Sequence, residues 1–363
     1  MVRPTTIKDV CEAVREHSCV LPCGGGTKPA LSATAEGVTR LELGGLRGII
    51  EYEPDEYTFT ALAGTPLAEV QAVLAMHGQY LPFDPPLAAA GATLGGTVAA
   101  GLSGPGRLRY GGVRDFVIGV RWVDGTGELI RGGGKVVKNA AGFDFPKLFC
   151  GSLGRLGVMA DLSFKVFPSP TARVTTAIEC SSTGDAVDRL NFLAGQSWEA
   201  EALEFCGVDK PVLYARFMGD EPALTPRVEA VLAAVQRPGR ILSSGEADAY
   251  WKECAALAGE PLVKVPLTPG RIPSLEYELA GTQGSRRYSM AGNVAYLSGI
   301  DPATLHPVLR ARQLPGLTLR GGGPLRPGFI SSALMEAKVK ASMDPHGKFP
   351  PLLSEPYNPA PSA

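Results

Sequence analysis

Three glycine-rich loops in the first 160 residues constrain this chain more than any other feature. The first is Leu21-Pro22-Cys23-Gly24-Gly25-Gly26-Thr27-Lys28. The second opens with Gly91-Ala92-Thr93-Leu94-Gly95-Gly96-Thr97, passes Gly101, Gly104 and Gly106, and closes with Tyr110-Gly111-Gly112-Val113-Arg114-Asp115. The third runs from Gly132 to Gly157 and carries Lys138, Asn139 and Ser152. Glycine admits positive φ and lets a ligand approach bare N–H groups, and consecutive N–H groups form an anion-binding nest. Alone, Gly24-Gly25-Gly26 reads as a tight turn. The second cluster is too long for a turn and sets the hydroxyls of Thr93, Thr97, Ser103 and Tyr110 among its glycines. Three such loops together favour a ligand rich in phosphate or carbonyl oxygens, held between loops. Two familiar nucleotide signatures are missing: no GxxxxGK[ST] occurs, and no GxGxxG opens a helix with an acid about 20 residues on.

The rest of the chain narrows the class. With 363 residues and 45% hydrophobic content it can build a proper core, and the length favours about two domains. A formal net charge of −1 carries no electrostatic footprint for nucleic acid. No apolar run is long enough to span a bilayer, and the first residues lack a signal peptide's apolar core. The expected location is therefore cytoplasmic. Seven scattered cysteines include no CxxC pair, so a zinc or iron–sulfur centre held by this chain is not expected, and the metal set is empty.

Periodicity places a helix at 6–17, strands near 19–21, 39–43, 48–52 and 58–63, and a helix entered through Gly64-Thr65-Pro66. Strands follow at 116–123 and 158–167, and Pro168-Ser169-Pro170 marks a domain boundary. Beyond it, strand-like pieces at 173–180, 211–218, 240–243, 261–267 and 291–297 alternate with helices near 183–194, 222–236, 246–257 and 301–312. A last helix covers 331–343. The expected fold class is α+β, with domains at 1–170, 171–330 and 331–363. The first domain is expected to divide near residue 64.

In their order and spacing, Gly24–Lys28, Ala92–Gly101, Arg109–Asp115, Val136–Asp144 and Gly151-Ser152-Leu153-Gly154-Arg155-Leu156-Gly157-Val158 resemble the FAD-binding domain of the vanillyl-alcohol oxidase (PCMH) type. Within that superfamily the chain is most similar to the FAD-binding subunits of glycolate oxidases. The resemblance covers residues 1–170 well, and Asp344-Pro345 echoes the superfamily's C-terminal ending. It implies a two-subdomain FAD domain, a smaller α+β cap, and a C-terminal helix returning to the FAD domain. It also implies a role as the FAD-carrying subunit of a 2-hydroxy acid (glycolate) oxidase, for electron transfer or assembly. The partners would be a catalytic flavoprotein subunit and an iron–sulfur subunit, which could hold the chain at the inner membrane. A stand-alone FAD oxidoreductase of a small hydroxy acid or alcohol is the alternative.

By position, the resemblance gives Cys23, Gly24, Gly25, Gly26 and Thr27 to the FAD pyrophosphate. Thr93, Gly95, Gly96, Thr97 and Gly101 would line the pyrophosphate and the ring, Gly157 and Val158 would give backbone contacts, and Lys138 and Asn139 would lie near the ring. No catalytic residue is assigned. Many relatives attach FAD covalently through a loop histidine, but His17, His77, His306 and His346 all lie outside the glycine loops, so noncovalent FAD is expected. Arg155 stands where the superfamily usually has threonine. Hydroxy-acid-oxidising relatives carry an H-x-G-D-G-N-x-H-like segment. The comparable stretch here, Tyr288-Ser289-Met290-Ala291-Gly292-Asn293-Val294-Ala295-Tyr296, keeps Gly292-Asn293 and has neither histidine. Arg286 and Arg287 read as an exposed pair, or else as a bidentate carboxylate clamp.

Overall fold

The computed structural model describes residues 1–33, 35–134, 143–207 and 210–351. The N-terminal helix is Ile7–Glu16, and its start is fully capped. The Thr6 hydroxyl accepts from the Asp9 N–H at 3.2 Å, while the Asp9 carboxylate accepts from the Thr5 and Thr6 N–H groups at 2.9 Å each. Those bonds hold the Asp9 carboxyl down at about 2. The strand Val20–Cys23 then pairs in parallel with Thr39–Glu42 and delivers the chain into the first glycine loop.

A five-stranded antiparallel sheet forms the body of the N-terminal half. Its order is Ile49–Glu53, Thr58–Leu62, Val158–Lys165, Val117–Val123 and Leu129–Gly133. This sheet takes strands from both sides of residue 64, so the division expected there falls within a continuous sheet. The helix Leu67–Met76 starts after Pro66 and buries Leu67, Val70 and Leu74. Trp122 lies 5.0 Å from the rings of both Phe145 and Phe149 in the same core.

The C-terminal half is built on an eight-stranded sheet. Its order is Gly239–Ile241, Ala172–Glu179, Val212–Gly219, Ala202–Cys206, Ser285–Ser289, Val294–Ser298, Leu262–Pro266 and Leu317–Arg320. One face packs on helices: Phe205, Phe217, Val263 and Leu297 join Leu190, Val228, Leu275 and Leu305 in one core. The other face turns toward the N-terminal half, and its Leu262, Val294, Tyr296 and Leu319 belong to that half's core.

Three strands of this sheet and one helix escape the periodicity reading: Ala202–Cys206, Ser285–Ser289, Leu317–Arg320 and Ile272–Glu278. Charged residues disguise the first two strands. Arg286 and Arg287 are not an exposed pair, nor a free clamp. Arg286 is buried and sits 3.6 Å from Glu276, and Arg287 sits 3.9 Å from the fully buried Glu204.

The helix Ala333–Met343 packs Val339 and Met343 against the core that contains the five-stranded sheet. Asp344 beyond it pairs with Lys340 and accepts from the Lys348 and Phe349 N–H groups at 2.9 Å each. The Lys348 carbonyl accepts from Val20 N–H at 2.8 Å, and its ammonium donates to the Val14 and His17 carbonyls at 3.0 and 2.8 Å. The C-terminal segment thereby closes onto the strand that feeds the first glycine loop. Among the described residues no helix is long and apolar enough to cross a membrane.

Candidate functional site

The first two glycine loops meet. A Cβ on Gly24 would lie 2.1 Å from the Thr93 hydroxyl oxygen, and one on Gly25 would lie 1.8 Å from the Gly91 carbonyl oxygen. A Cβ on Gly95 would fall 2.9 Å from the Ala63 carbonyl oxygen. The sequence reading assigned these glycines to close ligand approach; the structure shows that the approach of one loop to another already forbids a side chain. Gly26 sits at φ +66°, in the left-handed region that glycine tolerates. Thr93 caps the short helix Leu94–Ala100, accepting from Gly96 N–H at 3.2 Å, and Gly101 ends it at φ +59°.

Between these loops and the 153–159 stretch lies an open cleft. Cys23, Gly24, Gly25, Gly26, Thr27, Thr93, Gly95, Gly96 and Gly157 all line it. Thr97, Gly101 and Val158 do not. Thr97 is buried, and its hydroxyl has no partner among the described residues. Val158 is fully buried in the core beneath the N-terminal helix. Gly101 faces the cap instead, where its carbonyl accepts from the Lys264 ammonium at 3.1 Å. Lys138 and Asn139 lie outside the described residues.

The side chain that sequence reasoning passed over is Lys28. It lines the cleft, is 8% exposed, and donates to the Thr27 hydroxyl at 3.1 Å. No carboxylate among the described residues pairs with it. Burial, with Arg320 adding a little, pulls its pKa down to about 8. The available signal was its place in sequence, directly after a glycine nest. Arg40 lies nearby: its Nη2 donates to the Cys23 sulfur at 3.1 Å, and its Nε sits 3.8 Å from the Glu42 carboxylate.

A glycine-walled cleft with a buried, carboxylate-free lysine fits a ligand that brings its own negative charge. FAD, whose pyrophosphate is dianionic, meets that requirement. Arg155 is buried, with two guanidinium nitrogens unpartnered among the described residues, but it does not line the cleft. None of the four histidines lines the cleft either. In the segment compared above, Tyr288 is buried against the Glu276 carboxylate and Ala295 is fully buried. Among the described residues no three His, Cys, Asp or Glu side chains converge in a way that could hold a metal.

Comparison with known proteins agrees with this geometry. The family described as FAD binding domain matches residues 1–133. The glycolate oxidase subunit GlcE of Escherichia coli (strain K12) is 32% identical over 352 residues, covering 95% of this chain and 95% of that protein. The chain belongs to the glycolate oxidase subunit GlcE family. Relatives of this subunit reach further with less coverage. The glycolate oxidase subunit GlcD of Bacillus subtilis (strain 168) is 29% identical over 53% of this chain and 41% of that protein. A D-2-hydroxyglutarate dehydrogenase of Xanthomonas citri pv. viticola is 32% identical over 46% of this chain and 36% of that protein. Among solved structures, an alkyldihydroxyacetonephosphate synthase superposes with a TM-score of 0.71 at 15% identity, covering 95% of this chain and 76% of that one, and so shares the fold. The glycolate oxidase subunit is thus an α+β protein with an FAD-binding domain.

Proposed function

We propose that this GlcE-family subunit holds FAD noncovalently, with the pyrophosphate between the Cys23–Lys28 loop and the Thr93–Gly96 turn. Lys28 is the observation that carries the reading: a buried ammonium without a carboxylate, facing a cleft whose walls are bare backbone. In this arrangement Gly24–Gly26 offer N–H groups and Lys28 neutralises charge. Gly157 lets the backbone of the opposite wall pack directly on the Trp122 ring, from which a Cβ there would lie 2.7 Å. FAD, when bound, supplies two-electron acceptor chemistry. The histidine-free lining supports a noncovalent mode.

The same reading places the subunit in a glycolate oxidase complex, beside a catalytic flavoprotein subunit and an iron–sulfur subunit, in the cytoplasm or at the inner membrane through those partners. There its flavin relays electrons or supports assembly. The absence of histidines from the Tyr288–Tyr296 segment favours this supporting role over independent oxidation, because no imidazole stands ready there to take a substrate proton.

The test is direct. The purified subunit should be yellow, and acid precipitation should release all of the flavin into the supernatant. A colourless protein that cannot be reconstituted with FAD would overturn the reading. Flavin retained on the acid-precipitated chain would overturn the noncovalent mode alone.

A further inference from the structure

Residues 152–155 make a tight turn in the wall of the FAD cleft. Leu153 and Gly154 sit in the left-handed region at φ +53° and +72°, and the Arg155 N–H donates to the Ser152 carbonyl at 2.9 Å. Leu153 and Gly154 line the cleft, and a Cβ on Gly154 would lie 2.8 Å from the Pro22 ring. Arg155 follows them but lines neither the cleft nor the open cavity beneath the cap sheet. It is 5% exposed.

Among the described residues three arginines are buried: Arg155, Arg216 and Arg286. Arg216 pairs with Asp84 and Glu201. Arg286 donates to the Leu279 carbonyl at 2.7 Å and sits 3.6 Å from Glu276. Arg155 has no carboxylate among the described residues, and its Nε and Nη1 are enclosed without a hydrogen-bond partner. A guanidinium carries five donors and no acceptor, and it keeps its charge when buried. Such a charge costs heavily unless something answers it.

The groups around Arg155 do not answer it. They come from the start of the Val20–Cys23 strand and from the C-terminal segment: Cys19, Lys340, Asp344 and Lys348. Burial pulls the Arg155 pKa below its ordinary value, and Cys19 offsets this a little. The Lys340 ammonium pairs with Asp344 and donates to the Phe349 carbonyl at 2.9 Å. Asp344 also accepts from the Lys348 and Phe349 N–H groups. The Lys348 ammonium donates to the Val14, Arg15 and His17 carbonyls at 3.0, 3.3 and 2.8 Å, at the negative end of the first helix. The one carboxylate of the cluster is engaged, and the Arg155 charge is left over.

We propose that Arg155 is the centre of a binding site for a single halide ion, chloride or bromide. The ion bridges the 152–155 turn to the Cys19 strand and the C-terminal helix. One leftover positive charge calls for a monovalent anion. A guanidinium that opens on neither cavity suits a small spherical ion over a sulfate or phosphate. The Cys19 thiol and the remaining Lys340 N–H are further donors. The site lies behind the cleft wall, and it does not depend on what the cleft binds.

The test uses the FAD-free, full-length subunit. Thermal melts are recorded as sodium chloride replaces sodium gluconate at constant ionic strength, with sodium bromide and sodium sulfate in parallel. The wild type should gain roughly 2–4 °C at ten times the half-saturating chloride or bromide concentration, and the gain should saturate. Arg155→Met should melt at or above the wild-type temperature in gluconate, because an unanswered buried charge has gone, and should not respond to chloride. Lys28→Met should keep the chloride response, which separates this site from the cation in the cleft. Crystals of the wild type grown in bromide should show an anomalous peak at hydrogen-bonding distance from the Arg155 guanidinium. That measurement decides the question whether or not Arg155→Met folds. An equal chloride response in folded Arg155→Met would overturn the site, as would bromide peaks confined to other positions. A wild type indifferent to halide, with an ordered water on the guanidinium, would overturn it too. A response to sulfate alone, lost in Arg155→Met, would overturn halide as the ligand.

Discussion

The glycine-walled cleft and the Glu201 cluster on the inner face of the cap sheet both hold cations, and they treat them in opposite ways. On the cap sheet, the Arg216 side chain pairs with Asp84 and with Glu201, and the Arg216 guanidinium lies 4.6 Å from the Trp251 ring centroid. Glu201, fully buried, also takes both bonds of Arg173. Every charge in that cluster is answered by the protein. In the cleft, Lys28 has one hydroxyl and no carboxylate among the described residues. The difference separates architecture from function. In the Glu201 cluster the answered charge clamps the cap onto the FAD-binding domain; at Lys28 the charge is unanswered, and in the proposed reading the charge of FAD completes the site.

The largest effect should come from breaking the clamp. Glu201→Ala takes a carboxylate from the buried Arg216 and both bonds from the exposed Arg173, and should cost about 3–5 kcal/mol in chemical denaturation, chiefly through Arg216. A loss below about 1 kcal/mol would mean that the network is solvated and the comparison fails on the cap side.

A pH titration sharpens the cleft side. The Lys28 pKa lies near 8 against an ordinary 10.5, so the FAD-free fold carries the full cost of its charge below about pH 8. That cost fades as pH rises toward 10.5. A bound anion raises the pKa again, so FAD affinity should be level below pH 8 and fall above it, by at most tenfold per pH unit. Flat affinity from pH 7 to 10 would remove Lys28 from the site.

The smallest effect on the fold, with a clear one on the ligand, belongs to Gly96→Ala. Gly96 lies inside a helix and lines the cleft, and a Cβ there meets only the Thr93 hydroxyl oxygen, at 3.0 Å. Alanine gains up to about 1 kcal/mol of helix propensity. The melting temperature should hold or rise while FAD binding weakens. Gly25→Val cannot separate these effects, because its side chain would collide with the Gly91 carbonyl.

The two regions were unequally legible in the sequence. The cleft loops could be read because their requirement is local: Gly24-Gly25-Gly26 and Gly95-Gly96 announce bare backbone wherever they fold. Most of the residues singled out there do line one cleft. The exceptions are informative, since Val158 follows Gly157 in sequence but points into the core, as alternation along a strand requires. The cap could not be read in this way. Arg216 and Asp84 are 132 residues apart in sequence, and nothing near either position names the other. Glu204 and Arg287 look like surface charges until the Ala202–Cys206 and Ser285–Ser289 strands are laid side by side.

The central claim is that the charge left unanswered in the cleft is answered by FAD. Titrating FAD into the FAD-free wild type and Lys28→Met at pH 7, with thermal melts of both apoproteins, tests it most directly. Affinity should fall about 10- to 100-fold in Lys28→Met, while the FAD-free variant melts at the same temperature as the wild type or higher, because a buried charge has been removed. Unchanged affinity in a folded Lys28→Met subunit would contradict the account.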